Sequence, residues 1–200
     1  MSRVKMVFQP DDFPVPIGRE DANNLEQFFC HIHSWTGDGG IPKTAAGFAI
    51  VARDPKLALL LAGLSDYMTL ECPWTSQRTD LRELSIQALN LHFKCDYNFQ
   101  SHLRKAEERF GVPAEMQAAI PLWRESTIFT PEQRLVIEYT LATVTGDVSD
   151  ELFQRVADQF GEMGAIELTV GIAWWSFWAM LVGAIRPEHD FGYGIAAPAG

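Results

Sequence analysis

The chain has 200 residues, 47% hydrophobic and 21% charged, which suits a packed globular protein and gives no reason to expect disorder. Its formal net charge of −10 argues against a nucleic-acid partner, whose phosphates need a basic face. Any anionic substrate must therefore be drawn in by a local group of Arg and Lys. Three cysteines, Cys30, Cys72 and Cys95, cannot all pair and point away from a disulfide scaffold. The opening MSRVKMVFQPDDF lacks the apolar core of a signal peptide, so a cytoplasmic protein is expected.

Residues 1–20, with Pro10, Pro14, Pro16 and Gly18, read as an extended N-terminal arm. DANNLEQFFCHIHSW reads as a short helix stopped by the glycines of TGDGG. KLALLLAGLSDYMTL, after Pro55, is a second helix, broken by Cys72-Pro73-Trp74. Ser76 or Thr79 is placed to cap a third. Leu81, Leu84, Ala88 and Leu91 form a stripe there that Ile86, Leu89 and Phe93 widen, so this helix should be buried on most sides. A fourth runs over 96–110 to Gly111, and Pro113 opens a short fifth through about Leu122. Thr130-Pro131-Glu132-Gln133 is a capping box opening a helix to about Val144. Ser149 caps a helix ending near Gly161, and a tryptophan-rich helix follows from about Glu162 to Ile185, stopped by Pro187. Residues 190–200 read as a mobile tail.

No period-two strands are evident. The expectation is an all-α chain of about eight helices in a single domain over 1–200. Residues 168–185 carry no charge, but 18 residues only reach the lower bound for a membrane span and no second candidate exists. A helix buried in the core or in a subunit interface is the expectation, with no membrane partner.

LHFKCDYNFQSHLRKAEERFG, residues 91–111, holds the chemistry. Cys95 and His102 are seven positions apart, so they share a helix face, yet at 1.5 Å per residue they lie about 10 Å apart along the axis. Asn98 lies between them, four residues before His102. The helix start and Lys94 would favour a thiolate at Cys95. On spacing alone, a small buried hydrophobe and a structural histidine explain the pair as well as a reactive one does.

Arg82-Glu83-Leu84, then eleven residues from Glu83 to Cys95 and six more to His102, resembles the signature of the carboxymuconolactone decarboxylase / alkylhydroperoxidase AhpD-like family. The likeness continues through Ala106, Phe110-Gly111-Val112, Pro113 and Glu115, and again at Ala165-Ile166-Glu167-Leu168 and the tryptophan helix. It spans residues 45 to 188. The resemblance implies an AhpD-like helical fold and a homo-oligomer (dimer, trimer or hexamer) with active sites near subunit contacts. Peroxidase members carry a second cysteine four positions before the histidine; here that position is Asn98, so no intramolecular dithiol cycle is available. Decarboxylase-type members resemble this chain more closely.

On this resemblance the expected function is decarboxylation or isomerisation of a small cyclic organic acid or lactone. His102 acts as general acid or base, and Glu83 orients it with a pKa raised by burial. Asn98 donates to a developing oxyanion, and Cys95 is a proton relay or polarisable wall. Tyr97, Phe99, Trp174 and Trp178 are candidate substrate contacts. Arg82, Lys94 or Arg104 is the candidate partner of a substrate carboxylate. A one-cysteine hydroperoxide reductase using Cys95, or a non-catalytic ligand-binding protein on the same scaffold, are the competing readings. No cofactor is called for. His31 and His33 are weak metal candidates, with Asp38 as a third ligand: on a helix they point about 200° apart and cannot chelate from one face.

Overall fold

A computed structural model of the chain describes residues 2–14, 16–37 and 40–189. Among the described residues nine α-helices follow in order: α1 (Arg19–Thr36), α2 (Ala46–Val51), α3 (Pro55–Asp66), α4 (Pro73–Gln77), α5 (Thr79–His92), α6 (Asp96–Phe110), α7 (Ala114–Ala119), α8 (Pro131–Thr145) and α9 (Asp150–Ile185). Among the described residues there is no strand, so the all-α expectation holds. The proposed tail at 190–200 and Asp38 lie outside the described residues.

The punctuation of the sequence sets most boundaries. Gly37, Gly111 and Gly146 end α1, α6 and α8 in the left-handed region, at φ 78°, 69° and 78°. The capping box forms as expected, with Gln133 N–H donating to Thr130 Oγ1 at 3.2 Å and Thr130 N–H to Gln133 Oε1 at 2.9 Å. One boundary differs from expectation. Neither Ser76 nor Thr79 caps α5; Arg78 holds the cap position, its guanidinium clasping Glu132 at 2.8 and 2.7 Å. The two expected C-terminal helices both form within α9 and meet, as expected, at Gly161, where φ 76° and ψ 162° leave the helical region. The N-terminal arm packs on the fold: Val7 is fully buried and its N–H donates to Ala49 O at 2.8 Å, while Arg3 N–H reaches Ile185 O at 3.1 Å.

Helix α5 is the centre of the molecule. Every residue from Leu81 to Asn90 is buried, against α6 on one side and α8 and α9 on others. Five of those ten are polar: Arg82, Glu83, Ser85, Gln87 and Asn90. Buried polar side chains need partners, since each left without one costs about 1–3 kcal/mol. Ser85 finds Thr140 on α8 at 2.8 Å. The other four face α6 and the cavity described below.

Helix α9 is long and apolar enough to cross a membrane by length and composition, and 33% of its 18-residue apolar window is buried inside this chain's own fold. Its tryptophans face inward. On the opposite side Met163, Ile166, Val170, Ala173, Phe177, Met180 and Ala184 are all exposed, at alternating steps of three and four. That is a heptad seam on the surface.

Candidate functional site

Helices α5 and α6 form an antiparallel hairpin closed by the short turn Phe93–Cys95, in which Lys94 takes a left-handed φ of 52°. Antiparallel pairing sets Glu83 on α5 opposite His102 on α6. Glu83 Oε2 and His102 Nδ1 lie 2.8 Å apart, with the carboxylate 1% exposed and the imidazole 22% exposed. The other carboxylate oxygen accepts from Arg82 Nη2 at 3.3 Å. Arg82 Nη1 donates to the carbonyls of Thr75, at 3.0 Å, and Thr69, at 3.4 Å. The guanidinium also lies over the Phe110 ring at 4.9 Å.

This group opens on a cavity of about 260 Å³. Its polar wall includes Glu83, Asn90, Asn98, Ser101, His102 and Lys105. The facing wall is aromatic: Trp174, Trp175 and Trp178 from α9, and Phe48 from α2. Trp178 packs on Phe48 at 4.7 Å between centroids and edge-on against Trp174 at 5.4 Å. Gly47 makes that packing possible, because a Cβ there would fall 2.8 Å from Trp178 Cε3. On α9, Glu167 reaches back to accept from the Trp74 N–H at 2.8 Å and so caps α4.

The electrostatics correct one expectation. Burial pushes the Glu83 carboxyl upward, but the charge and hydrogen bond of His102, with Lys105 and Arg82, outweigh it and hold the pKa below the ordinary carboxylate value. A pKa raised by burial was expected; desolvation acts as foreseen, and the influence of His102, Lys105 and Arg82 overturns it. Lys105 moves down, through burial first and then Arg82 and Arg109, with Glu83 opposing.

Cys95 does not join this site. Its thiol is 3% exposed and lines a separate cavity of about 620 Å³ with Lys94, Asp96, Ala179, Arg186 and His189. Burial raises its pKa, against a lowering hydrogen bond from the Asn98 backbone N–H. The expected thiolate is therefore absent: desolvation exceeds what the helix end supplies. Asn98 lines the His102 cavity as expected.

Tyr97 lies between the two cavities, its hydroxyl donating to the Lys43 carbonyl and accepting from the Ala46 N–H at 3.0 Å. Phe99 is a correction: its ring is buried in the core away from the cavity. Arg82 lines the cavity, and its terminal nitrogens are bonded to Glu83 and two carbonyls, so that it holds the acid in place. Lys94 and Arg104 are exposed, and Arg104 pairs with Glu108 at 2.6 Å on its own helix. A second cation on the cavity wall is Lys105, which the sequence reading missed; its place three residues after His102, on the same face, is the signal that could have found it. His31 pairs with Asp66 at 2.8 Å, while His33 is exposed elsewhere on α1. Among the described residues no three His, Cys, Asp or Glu side chains group as metal ligands.

Comparison of the chain with family models, with curated proteins and with solved structures returns no significant match.

Proposed function

We propose that the chain is a cofactor-independent enzyme that moves protons on a small cyclic organic acid or lactone, in a decarboxylation or an isomerisation, with His102 as its acid–base group. The observation that carries this reading is the 2.8 Å bond between the His102 imidazole and the buried Glu83 carboxylate at a cavity wall. An ionised Glu83 accepts from Nδ1–H, which leaves Nε2 as the base. In isomerisation Nε2 takes a proton from the carbon next to a carbonyl and returns it to another carbon. In decarboxylation Nε2 first takes a proton from solvent; the electron pair of the breaking C–C bond passes into an enolate as CO2 leaves, and Nε2 then gives that proton to the enolate carbon, returning to its neutral form. The Asn98 amide is suited to donate to the enolate oxygen, and Lys105 to pair with a carboxylate.

The resemblance at Glu83, Cys95 and His102 to the carboxymuconolactone decarboxylase / AhpD-like family supports the same chemistry. The hydroperoxide reductase reading is weakened because the Cys95 thiol is buried, neutral and outside the cavity. A purely ligand-binding cavity has no need of displaced titratable groups, and this one has Glu83 and Lys105. Self-association belongs to the reading too, because the exposed seam on α9 is a continuous apolar face with helix-pairing periodicity.

The test uses D2O and a panel of small cyclic carboxylates and lactones, with exchange of the α-proton followed by NMR. Wild type should exchange at least one of them, and His102→Ala should not. Exchange undiminished in His102→Ala contradicts the assignment.

A further inference from the structure

The cavity holds a directional feature that the acid–base reading leaves unused. Gln117, fully buried on α7, donates through Nε2 to the Leu103 carbonyl at 3.0 Å and the Val112 carbonyl at 2.7 Å. Carbonyls only accept, so the amide nitrogen of Gln117 must face them and its Oε1 must face Gln87. Gln87 answers with Nε2, which bonds that oxygen and also the Phe99 carbonyl at 3.1 Å. Its own Oε1 is thereby turned to Asn90, and accepts from Asn90 Nδ2 at 3.3 Å. Reversing Asn90 would set two acceptor oxygens against each other. Helices α5, α6 and α7 thus fix the orientation of three buried amides in series.

The series ends on an atom with no partner. Asn90 is 1% exposed, lines the cavity, and its Oδ1 accepts no hydrogen bond. Other oxygens of the wall are acceptors as well. The Ser101 hydroxyl donates to Asn98 O at 2.9 Å, and the Thr69 hydroxyl to Ser65 O at 2.5 Å. Both have committed their protons to their own helix and present lone pairs only. The cationic end of the cavity, at Lys105, lies beyond Glu83. Asn90 is two helical turns from Glu83, about 10 Å along the axis. The tryptophan wall runs beside both.

The geometry points to a substrate class: a single-ring acid that carries a hydrogen-bond donor, a hydroxyl or an N–H, across the ring from its carboxylate. The donor satisfies Asn90 Oδ1, the carboxylate meets Lys105, and the ring lies on the tryptophans. A volume of about 260 Å³ admits one ring and few substituents. This inference rests on the reading of the cavity as a substrate site, and it makes Asn90 the residue that selects among acids.

The test is binding rather than turnover. Four probes, 4-hydroxybenzoate, 4-aminobenzoate, benzoate and 4-methoxybenzoate, are titrated calorimetrically into wild type, Asn90→Leu and Gln117→Met. Only the first two carry a donor opposite the carboxylate. Wild type should bind them about tenfold more tightly than the other two. Asn90→Leu should erase that preference, and Gln117→Met, which frees the series without touching the cavity, should reduce it. If Asn90→Leu does not fold, the wild-type ranking and Gln117→Met decide the matter alone. Equal binding of benzoate or 4-methoxybenzoate, binding of no probe, or a preference as large in the variants as in wild type overturns the inference. A donor preference that persists in a protein showing no proton exchange leaves this inference standing and removes the acid–base reading instead.

Discussion

Glu83 and His102, nineteen residues apart in the chain, are bonded at 2.8 Å with the acid buried and the imidazole open to a cavity. The acid is held from behind by Arg82, whose Nη1 is fixed by two carbonyls of the segment between α3 and α5. The imidazole is therefore oriented by a carboxylate that is itself oriented. Glu83→Gln keeps the shape and removes the charge that selects the Nδ1–H tautomer. A loss in kcat on the order of 10²–10⁴ with KM little changed is expected, measured by steady-state kinetics on the substrate found by exchange. An unchanged kcat removes Glu83 from the mechanism.

The same carboxylate makes stability depend on pH. Its folded pKa lies below the ordinary 4.5, so on acidification the unfolded chain takes up the proton first. The stabilisation is present above about 4.5 and lost as pH falls through the folded value. Glu132, held low by Arg78, adds a slope of the same sign in both proteins, so the difference between them isolates Glu83. Urea unfolding from about pH 6 to about pH 3 should give a shallower acid decline in Glu83→Gln than in wild type. At neutral pH the variant should be roughly 3–5 kcal/mol less stable, because Arg82 keeps its buried charge without its partner.

Much of this was legible in the chain and some was not. Helix ends were, because capping boxes and left-handed glycines are local chemistry: Thr130, Gly111 and Gly146 sit where their neighbours require. The pairing of Glu83 with His102 was reachable only through family resemblance, since nothing in spacing says which faces of two helices meet. Cys95 misled because sequence proximity to a helix start says nothing about depth of burial. Lys105 and Asn90 were hidden for another reason: a lysine on a charged helix and an asparagine on an apolar one look ordinary until the opposite wall is known. The buried polar run on α5 was visible as sequence, and its meaning depended on the packing of α6 and α9 around it.

Cys95 supplies a third prediction. Cys95→Ala should retain proton-transfer activity within about threefold, because the thiol faces another cavity. After stoichiometric peroxide, mass spectrometry should find oxidation at exposed Cys30 and none at buried Cys95 or Cys72. Selective oxidation of Cys95 restores the reductase reading.

Gly47 offers a fourth, through shape alone. Its α2 backbone approaches the Trp178 ring so closely that an added methyl must displace the indole. Gly47→Ala should cost about 1–3 kcal/mol by thermal unfolding, and push Trp178 towards the cavity so that ligand affinity falls as well. A variant as stable and as tightly binding as wild type contradicts the packing described.

The seam on α9 gives a fifth. Light scattering after size exclusion should show an oligomer for wild type and a lower mass for Val170→Glu, which sets a charge in the middle of the apolar stripe. Identical masses for the two proteins remove α9 as the interface.

The most direct measurement is the tautomer of His102, read from imidazole nitrogen shifts by long-range proton–nitrogen NMR above its titration. The account predicts a neutral ring protonated on Nδ1 with Nε2 bare, and loss of that preference in Glu83→Gln. A ring protonated on Nε2 in wild type contradicts it, because the nitrogen facing the cavity then has no lone pair with which to take a proton.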